Sequence, residues 1–250
     1  MKYIILAVFL LFGIYTFAQR PIAVENGKFF EKEGNKMLYG GINEKEHFKI
    51  NNLELKPKQF HYGIGREKFP ALITPKFETV SEADNHWEDT DRFLVAYKDD
   101  QVRAYSVKDL TRHEVVNDVI GGEPIFAAYC ILADLGAIYK RTYADKVFTF
   151  AVSGYTYFDP KVWEGLDGFI LWDRETESLW WPLIDRAVSG PLKGVGLRKL
   201  DQIYWKDTQW KDVKENFSNA KVLISNQDFE RPDSWRKYND VSKIVEKFVN

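Results

Sequence analysis

The sequence holds a single cysteine, Cys130, among 250 residues, so no internal disulfide can form and burial must hold the fold. In an exported chain a lone thiol is buried and inert, paired with another molecule, or chemically used. Basic clusters are lacking too. No run of Lys and Arg exceeds two residues, and the formal net charge is -2. A nucleic-acid binder would carry a basic excess or a basic face, so nucleic acid is not an expected partner. Internal repeats and low-complexity tracts are absent.

What is present is the composition of a packed domain. Hydrophobic residues make up 45% and charged residues 29%, which excludes a disordered chain and is ample for one globular domain. Aromatics reach 16%, and with the many Val, Ile and Thr they lean toward strands.

Residues 1–18 read as a signal peptide. Lys2 is a short positive start, Tyr3 to Phe17 is an almost unbroken apolar run, and the cut is expected after Ala18. The run is short of the roughly 20 residues a membrane span needs. No cysteine follows it, which excludes a lipid anchor at that point. The alternative is an uncleaved leader, the one route to a membrane. In both cases the remainder is expected in the periplasm or outside the cell.

Residues 19–62 read as an N-terminal extension with weak structure of its own, turning at Gly40-Gly41 and Asn51-Asn52. From 63 to 226 short strands and tight turns dominate. Arg92–Tyr97 and Gln101–Tyr105 flank a Lys-Asp-Asp turn and predict a hairpin. Gly136–Tyr143 and Val147–Ser153 predict another. Ser81-Glu82-Ala83-Asp84 and Ser106-Val107-Lys108-Asp109 have capping-box spacing and predict short helices. Leu197–Trp205 and Lys221–Ser225 read as strands, and a helix capped by Thr208 aligns Trp210, Val213 and Phe217. Residues 227–250 form a tail whose Val241, Ile244, Val245, Phe248 and Val249 make the apolar stripe of an amphipathic helix that docks on the domain. The expected fold is mainly β (α+β). It is a single domain of antiparallel sheets, barrel- or sandwich-like, with a few short helices and the C-terminal one.

The stretch Arg112–Cys130 concentrates chemistry: His113, Glu114, Asn117 and Asp118, a Gly121-Gly122 turn, an apolar run and the cysteine. As a helix it would align His113 with Asn117; as a strand, His113, Val115 and Asn117 share a face. The β-branched residues favour the strand. Thiolate and imidazole suit copper or zinc, so His113 and Cys130, with Asp118 or Glu114 as further ligand or orienting group, are the metal candidates. The plain alternative is a packed Cys130 and a His113 bonded to backbone. HEVVN begins like a zinc-protease helix, but Asn117 occupies the second histidine's place and is a poor zinc ligand. A Cys130 nucleophile activated by His113 is a further arrangement. Glu114, Asp118 and Asp173 are the carboxylates available for acid–base work. Trp163, Trp172, Trp180, Trp181, Tyr155 and Tyr157 offer either a stacking surface for a glycan or an aromatic core. At strand spacing Trp180 and Trp181 face opposite ways, which predicts one of them core and one partly exposed. Asp173-Arg174-Glu175 with Glu177 reads as a solvated, salt-bridged turn or a polar site loop.

Several segments occur together in a familiar order: Pro70-Ala71-Leu72, Arg103-Ala104-Tyr105, His113-Glu114-Val115-Val116-Asn117-Asp118 with Gly121-Gly122, Tyr129-Cys130, Ser153-Gly154, Asp173-Arg174-Glu175-Thr176-Glu177-Ser178-Leu179-Trp180 and Gly190-Pro191-Leu192. Over about residues 65–224 the chain resembles an uncharacterised bacterial family catalogued as domain of unknown function 3179. The resemblance brings no established reaction. It implies a Cys-Pro-Leu-Cys-Gly segment where this chain reads Cys130-Ile131-Leu132-Ala133-Asp134, so the family's second cysteine is replaced by Ala133. Two-cysteine redox or metal chemistry does not carry over.

The leading expectation is an exported binding or accessory protein with a metal or redox-linked site at His113 and Cys130, its partner a small ligand, a glycan or another protein. The rivals are a hydrolase or transferase-type enzyme using the His113 cluster with Glu114 or Asp118 as base, and a glycan-binding module using the aromatic loop.

Overall fold

The computed structural model describes residues 25–228, 238 and 240–249; the expected leader, residues 1–18, lies outside them. Among the described residues no helix is long and apolar enough to cross a membrane.

Three sheets are layered. The middle one has three antiparallel strands in the order Leu135–Lys140, Glu123–Cys130, Val115–Ile120. Gly121 and Gly122, at φ of 52° and 72°, turn the chain between the last two, as a two-residue hairpin with both central residues left-handed requires. Side chains alternate along Glu123–Cys130. Phe126, Ala128 and Cys130 pack into one core, and Ile125, Ala127 and Tyr129 into another. A strand buried on both faces has no polar side, which is why Ile125–Cys130 reads as a continuous apolar run.

On the first face lies a six-stranded antiparallel sheet, ordered Glu25–Asn26, Phe60–Tyr62, Phe150–Tyr157, Gly168–Asp173, Leu179–Trp181, Arg186–Ser189. On the second lies a five-stranded sheet, ordered Trp205–Gln209, Arg92–Lys98, Gln101–Ser106, Lys221–Leu223, Phe77–Thr79. Its outer face carries a third core, where the short helices Val80–Ala83 and Trp210–Asn216 bring Val80, Ala83, Trp210 and Val213 onto Phe93 and Val95. The fold is therefore mainly β and antiparallel with few short helices, as expected. Of the two expected arrangements the sandwich-like one fits, since among the described residues no sheet closes into a barrel. The Arg92–Lys98 and Gln101–Ser106 hairpin is in place. In the C-terminal helix Ser242–Phe248, Ile244 is buried and Val241, Val245 and Phe248 pack on the main core.

Several local expectations are corrected. The turn at Ala144-Asp145 closes only a two-residue pairing, Thr142–Tyr143 with Lys146–Val147. The strands on either side of it enter different sheets: Leu135–Lys140 the middle one and Phe150–Tyr157 the six-stranded one. The first helix is capped by Thr79, whose box partner is Glu82, two residues before the expected Ser81. Gln209, not Thr208, precedes Trp210–Asn216. The last core strand covers Lys221–Leu223, and the strand expected over Leu197–Trp205 begins only at Trp205. The segment expected to be weakly structured forms a three-stranded sheet, Phe29–Lys32, Asn35–Leu38 and Phe48–Lys49, and seats Leu38 and Phe48 in the main core. Trp180 and Trp181 are both buried, Trp180 against Phe150 and Trp181 edge-on to Tyr157.

Candidate functional site

The site begins with a change of conformation inside the HEVVND segment. Ser106 caps the helix Val107–His113 by accepting from Asp109 N at 3.0 Å. Glu114 then takes a left-handed φ of 56°, unusual for a residue with a side chain. Its N–H closes the helix on Leu110 O at 2.7 Å, and its carbonyl accepts from Tyr129 N at 3.0 Å. The β-branched Val115 opens the next strand. The helix stops at His113, so the helical alignment of His113 with Asn117 does not form, and the strand reading holds from Val115 onward. The reversal places the Glu114 side chain beside the end of the Glu123–Cys130 strand.

There Glu114 and Cys130 line a cavity of about 200 Å³. Its walls include Phe69, Leu132, Val152, Tyr155 and Phe169, and the exposed Ile64 and Ile131 border it. Glu114 is only 8% exposed. Among the described residues its carboxyl has no hydrogen-bond or ion-pair partner, and burial alone raises its pKa from 4.5 to about 7. Burial also pushes the Cys130 thiol up to about 11, outweighing the N–H groups of Ala133, Phe169 and Leu132 that pull it down. Phe169 N reaches Sγ at 3.3 Å. The thiol is therefore protonated, and a ready thiolate nucleophile is not what this environment produces.

The rim is built by a strand irregularity. The Phe150–Tyr157 strand shifts register between Val152 and Tyr155. At that point Gly154 has φ +80°, and a Cβ on it would lie 2.1 Å from the Gly65 carbonyl carbon and oxygen. Ser153 Oγ donates to Ile170 O at 2.7 Å, pinning the bulge to the neighbouring strand. Bulges of this kind re-aim side chains beside sites. Beyond the wall, Thr156 donates to Asp167 Oδ2 at 2.8 Å and His61 Nδ1 bonds the same oxygen. His61 and Asp167 are 106 residues apart and lie on strands or loops with no shared motif, so the sequence carried no local signal for the pair.

Residues 66–246 match a family described as "Protein of unknown function (DUF3179)". The chain belongs to this family. No match was found among curated proteins or among solved structures. The DUF3179 match runs beyond 224 into the Ser242–Phe248 helix.

Within this DUF3179 chain the other candidate residues are dispersed. Asp118 lies on the opposite face of the middle sheet from Cys130, bonded by Tyr105 Oη at 2.7 Å and paired with Arg103 Nε at 3.2 Å. It is level with Ile125, five residues from Cys130, which is roughly 17 Å along a strand. His113 Nδ1 donates to Pro70 O at 2.8 Å, since a carbonyl can only accept. The copper or zinc set of His113, Cys130 and Asp118 therefore does not assemble. Among the described residues no three His, Cys, Asp or Glu side chains gather around a possible ion.

Asp173 also stands apart. It is fully buried and accepts from Thr176 N and Oγ1 at 2.7 Å and Trp180 Nε1 at 2.8 Å. Burial raises its pKa to about 7 despite these donors. The DRETE turn is internal where a solvated turn was expected. Arg174 makes two bonds to Glu67, 2.7 and 2.9 Å, and Glu177 meets Arg66 at 3.1 Å. Arg66 in turn lies 3.6 Å from the centre of the Trp172 ring. Of the aromatic residues expected on a stacking surface, Trp172, Trp180, Trp181, Tyr155 and Tyr157 are core, and only Trp163 is exposed, at 40%. The row of flat faces a glycan needs is not presented.

Proposed function

We propose that this protein is an exported binding protein whose site is the cavity between Glu114 and Cys130, and that the cavity takes a small, largely apolar molecule. Export rests on the leader-like residues 1–18 and places the domain in the periplasm or outside the cell. The observation carrying the binding site is Glu114 itself. A largely buried carboxyl beside apolar walls, with no partner among the described residues, is a costly feature for folding alone. It makes physical sense where a ligand completes it, because pockets combine apolar lining with a few convergent polar groups. The volume suits a compact ligand, since apolar cavities of roughly 150 Å³ hold a benzene-sized molecule.

A second reading uses the same residue. A carboxyl raised to about 7 is poised for general acid–base catalysis near neutral pH. Of the carboxylates expected for acid–base work, Glu114, Asp118 and Asp173, only Glu114 lines the cavity, and the Cys130 beside it is a protonated thiol. Asp118, Asp173 and His113 are engaged elsewhere, so binding is the better-supported reading.

The binding reading is tested by methyl NMR titration of the purified protein with isobutanol. Saturable shifts confined to Ile64, Ile131, Leu132 and Val152 support it. Shifts absent up to saturating alcohol, or spread evenly over surface methyls, sink it. Cell fractionation tests export separately, and a purely cytoplasmic, uncleaved chain overturns that part.

A further inference from the structure

The cavity has a second distinguishing property: its polar content is acidic and otherwise neutral. Resting on the binding reading above, we infer that the ligand is a small alkyl- or arylalkylammonium ion whose nitrogen pairs with the Glu114 carboxylate while its hydrocarbon lies against the apolar walls.

Geometry favours a cation over other partners for this carboxyl. Among the described residues no Lys or Arg lines the cavity to complete Glu114. Much of the carboxylate's desolvation has been met in folding, so an incoming cation loses mainly its own hydration, and the low-dielectric surroundings strengthen the pair. An anionic ligand would meet the carboxylate and the negative end of the Val107–His113 helix, which Glu114 caps. Three aromatic residues, Phe69, Tyr155 and Phe169, are among those lining the same space, and aromatic rings attract an ammonium as well as hydrocarbon. Cys130, which lines the cavity beside Glu114, stays a neutral thiol and does not compete for the cation. Ile64 and Ile131, 42% and 55% exposed, put the border of the cavity at the protein surface.

The probes are isobutylamine and isobutanol, of equal shape and different charge. Both are titrated into the purified protein at pH 8 by methyl NMR or calorimetry. The amine is expected to bind at least 10-fold tighter than the alcohol. Glu114→Gln should remove this preference while the alcohol still binds, which also shows that the variant is folded. The parent offers a second measurement. Between pH 8 and 5.5 the amine-to-alcohol affinity ratio should fall as Glu114 takes up its proton. The titratable groups around it are Cys130 on the adjoining strand, His113 before it in the chain, Tyr155 on the outer sheet and the His61–Asp167 pair behind Thr156. Glu114→Gln should abolish the slope, which assigns it to this carboxyl rather than to either histidine. Equal affinity of amine and alcohol in the parent, or a preference that survives Glu114→Gln, overturns the ammonium inference and leaves the pocket standing. Binding of neither probe overturns both.

Discussion

Asn117 holds both polar atoms of the Phe150 backbone. Phe150 N donates to Asn117 Oδ1 at 2.9 Å, and Asn117 Nδ2 donates to Phe150 O at 2.9 Å. The carboxamide thus stands in for a strand neighbour and ties the middle sheet to the six-stranded one, with Nδ2 also reaching Leu72 O at 3.2 Å. Asn117 is fully buried, so no water replaces it. Asn117→Ala is expected to cost about 3 kcal/mol, since each buried polar group left unmatched costs about 1–3 kcal/mol. Urea unfolding measures this. A loss below roughly 1 kcal/mol would show that the bridge is dispensable.

The buried pair Arg174–Glu67 joins the DRETE turn to the segment preceding the site. Breaking it from one side strands a charge with both residues nearly fully enclosed. Arg174→Met alone is expected to lose about 3–5 kcal/mol, whereas Arg174→Met with Glu67→Leu should recover much of it, because apolar replacements of a buried pair are often neutral. A double-mutant cycle by denaturant unfolding reads the coupling. Additive losses would show that the two side chains do not act as a unit.

How far the sequence disclosed this arrangement depends on the range of the interaction. The Ser106 cap, the Gly121-Gly122 turn and the Arg92–Ser106 hairpin are set by neighbours within a few residues, and they were readable. The apolar run before Cys130 is likewise local, and it forms a strand buried on both faces. Asn117 and Asp118 looked like a chemical cluster because they are adjacent in sequence. Strand alternation sends them to opposite faces, one to Phe150 and one to Tyr105, and each serves as a structural tie. The DRETE turn looked solvated because charge is normally at the surface; its partners Arg66 and Glu67 lie over a hundred residues away. Glu114 was visible as a candidate, but its isolation follows from a left-handed backbone and distant walls that no local pattern encodes.

Cys130 should be nearly inert in the native protein. Its side chain is 1% exposed and its thiol is held near 11, far above a free thiol. At pH 8 its reaction with iodoacetamide is expected to be at least about 100-fold slower than in the urea-unfolded chain, from the thiolate fraction alone. Native labelling at the unfolded rate would contradict the burial described for it.

Gly154 is expected to be the least replaceable residue of the rim. Gly154→Ala combines a left-handed φ with a Cβ driven into the Gly65 carbonyl. The backbone must move, and the Val152–Tyr155 bulge with it. A loss of about 2 kcal/mol or more in thermal or urea unfolding is expected, together with perturbed methyl signals at Val152 and Ile64. An unchanged spectrum would mean that the close approach to Gly65 is not maintained in solution.

Stability should fall as pH rises from about 4.5 to 7, and Glu114 supplies part of the slope. In the unfolded chain its carboxyl ionises near 4.5; in the folded protein burial holds the proton until about 7. Between these values the folded state binds more protons than the unfolded one, so raising the pH favours unfolding. The contribution is fully present below 4.5 and is lost by the time the pH passes 7. Its full size is roughly 3 kcal/mol, from about 1.4 kcal/mol per unit of difference. Asp173, also raised to about 7, adds a parallel slope that begins somewhat lower, near 3.8. Glu114→Gln therefore removes only one share: its unfolding free energy should be close to the parent's at pH 4.5 and exceed it by roughly 1–3 kcal/mol at pH 8, where the parent holds an unmatched carboxylate. A bound ammonium ion should act like the substitution and flatten the parent's profile, because it stabilises the same ionised form that unfolding otherwise relieves. Parallel pH profiles for parent and variant would show that the Glu114 proton is not held by the fold.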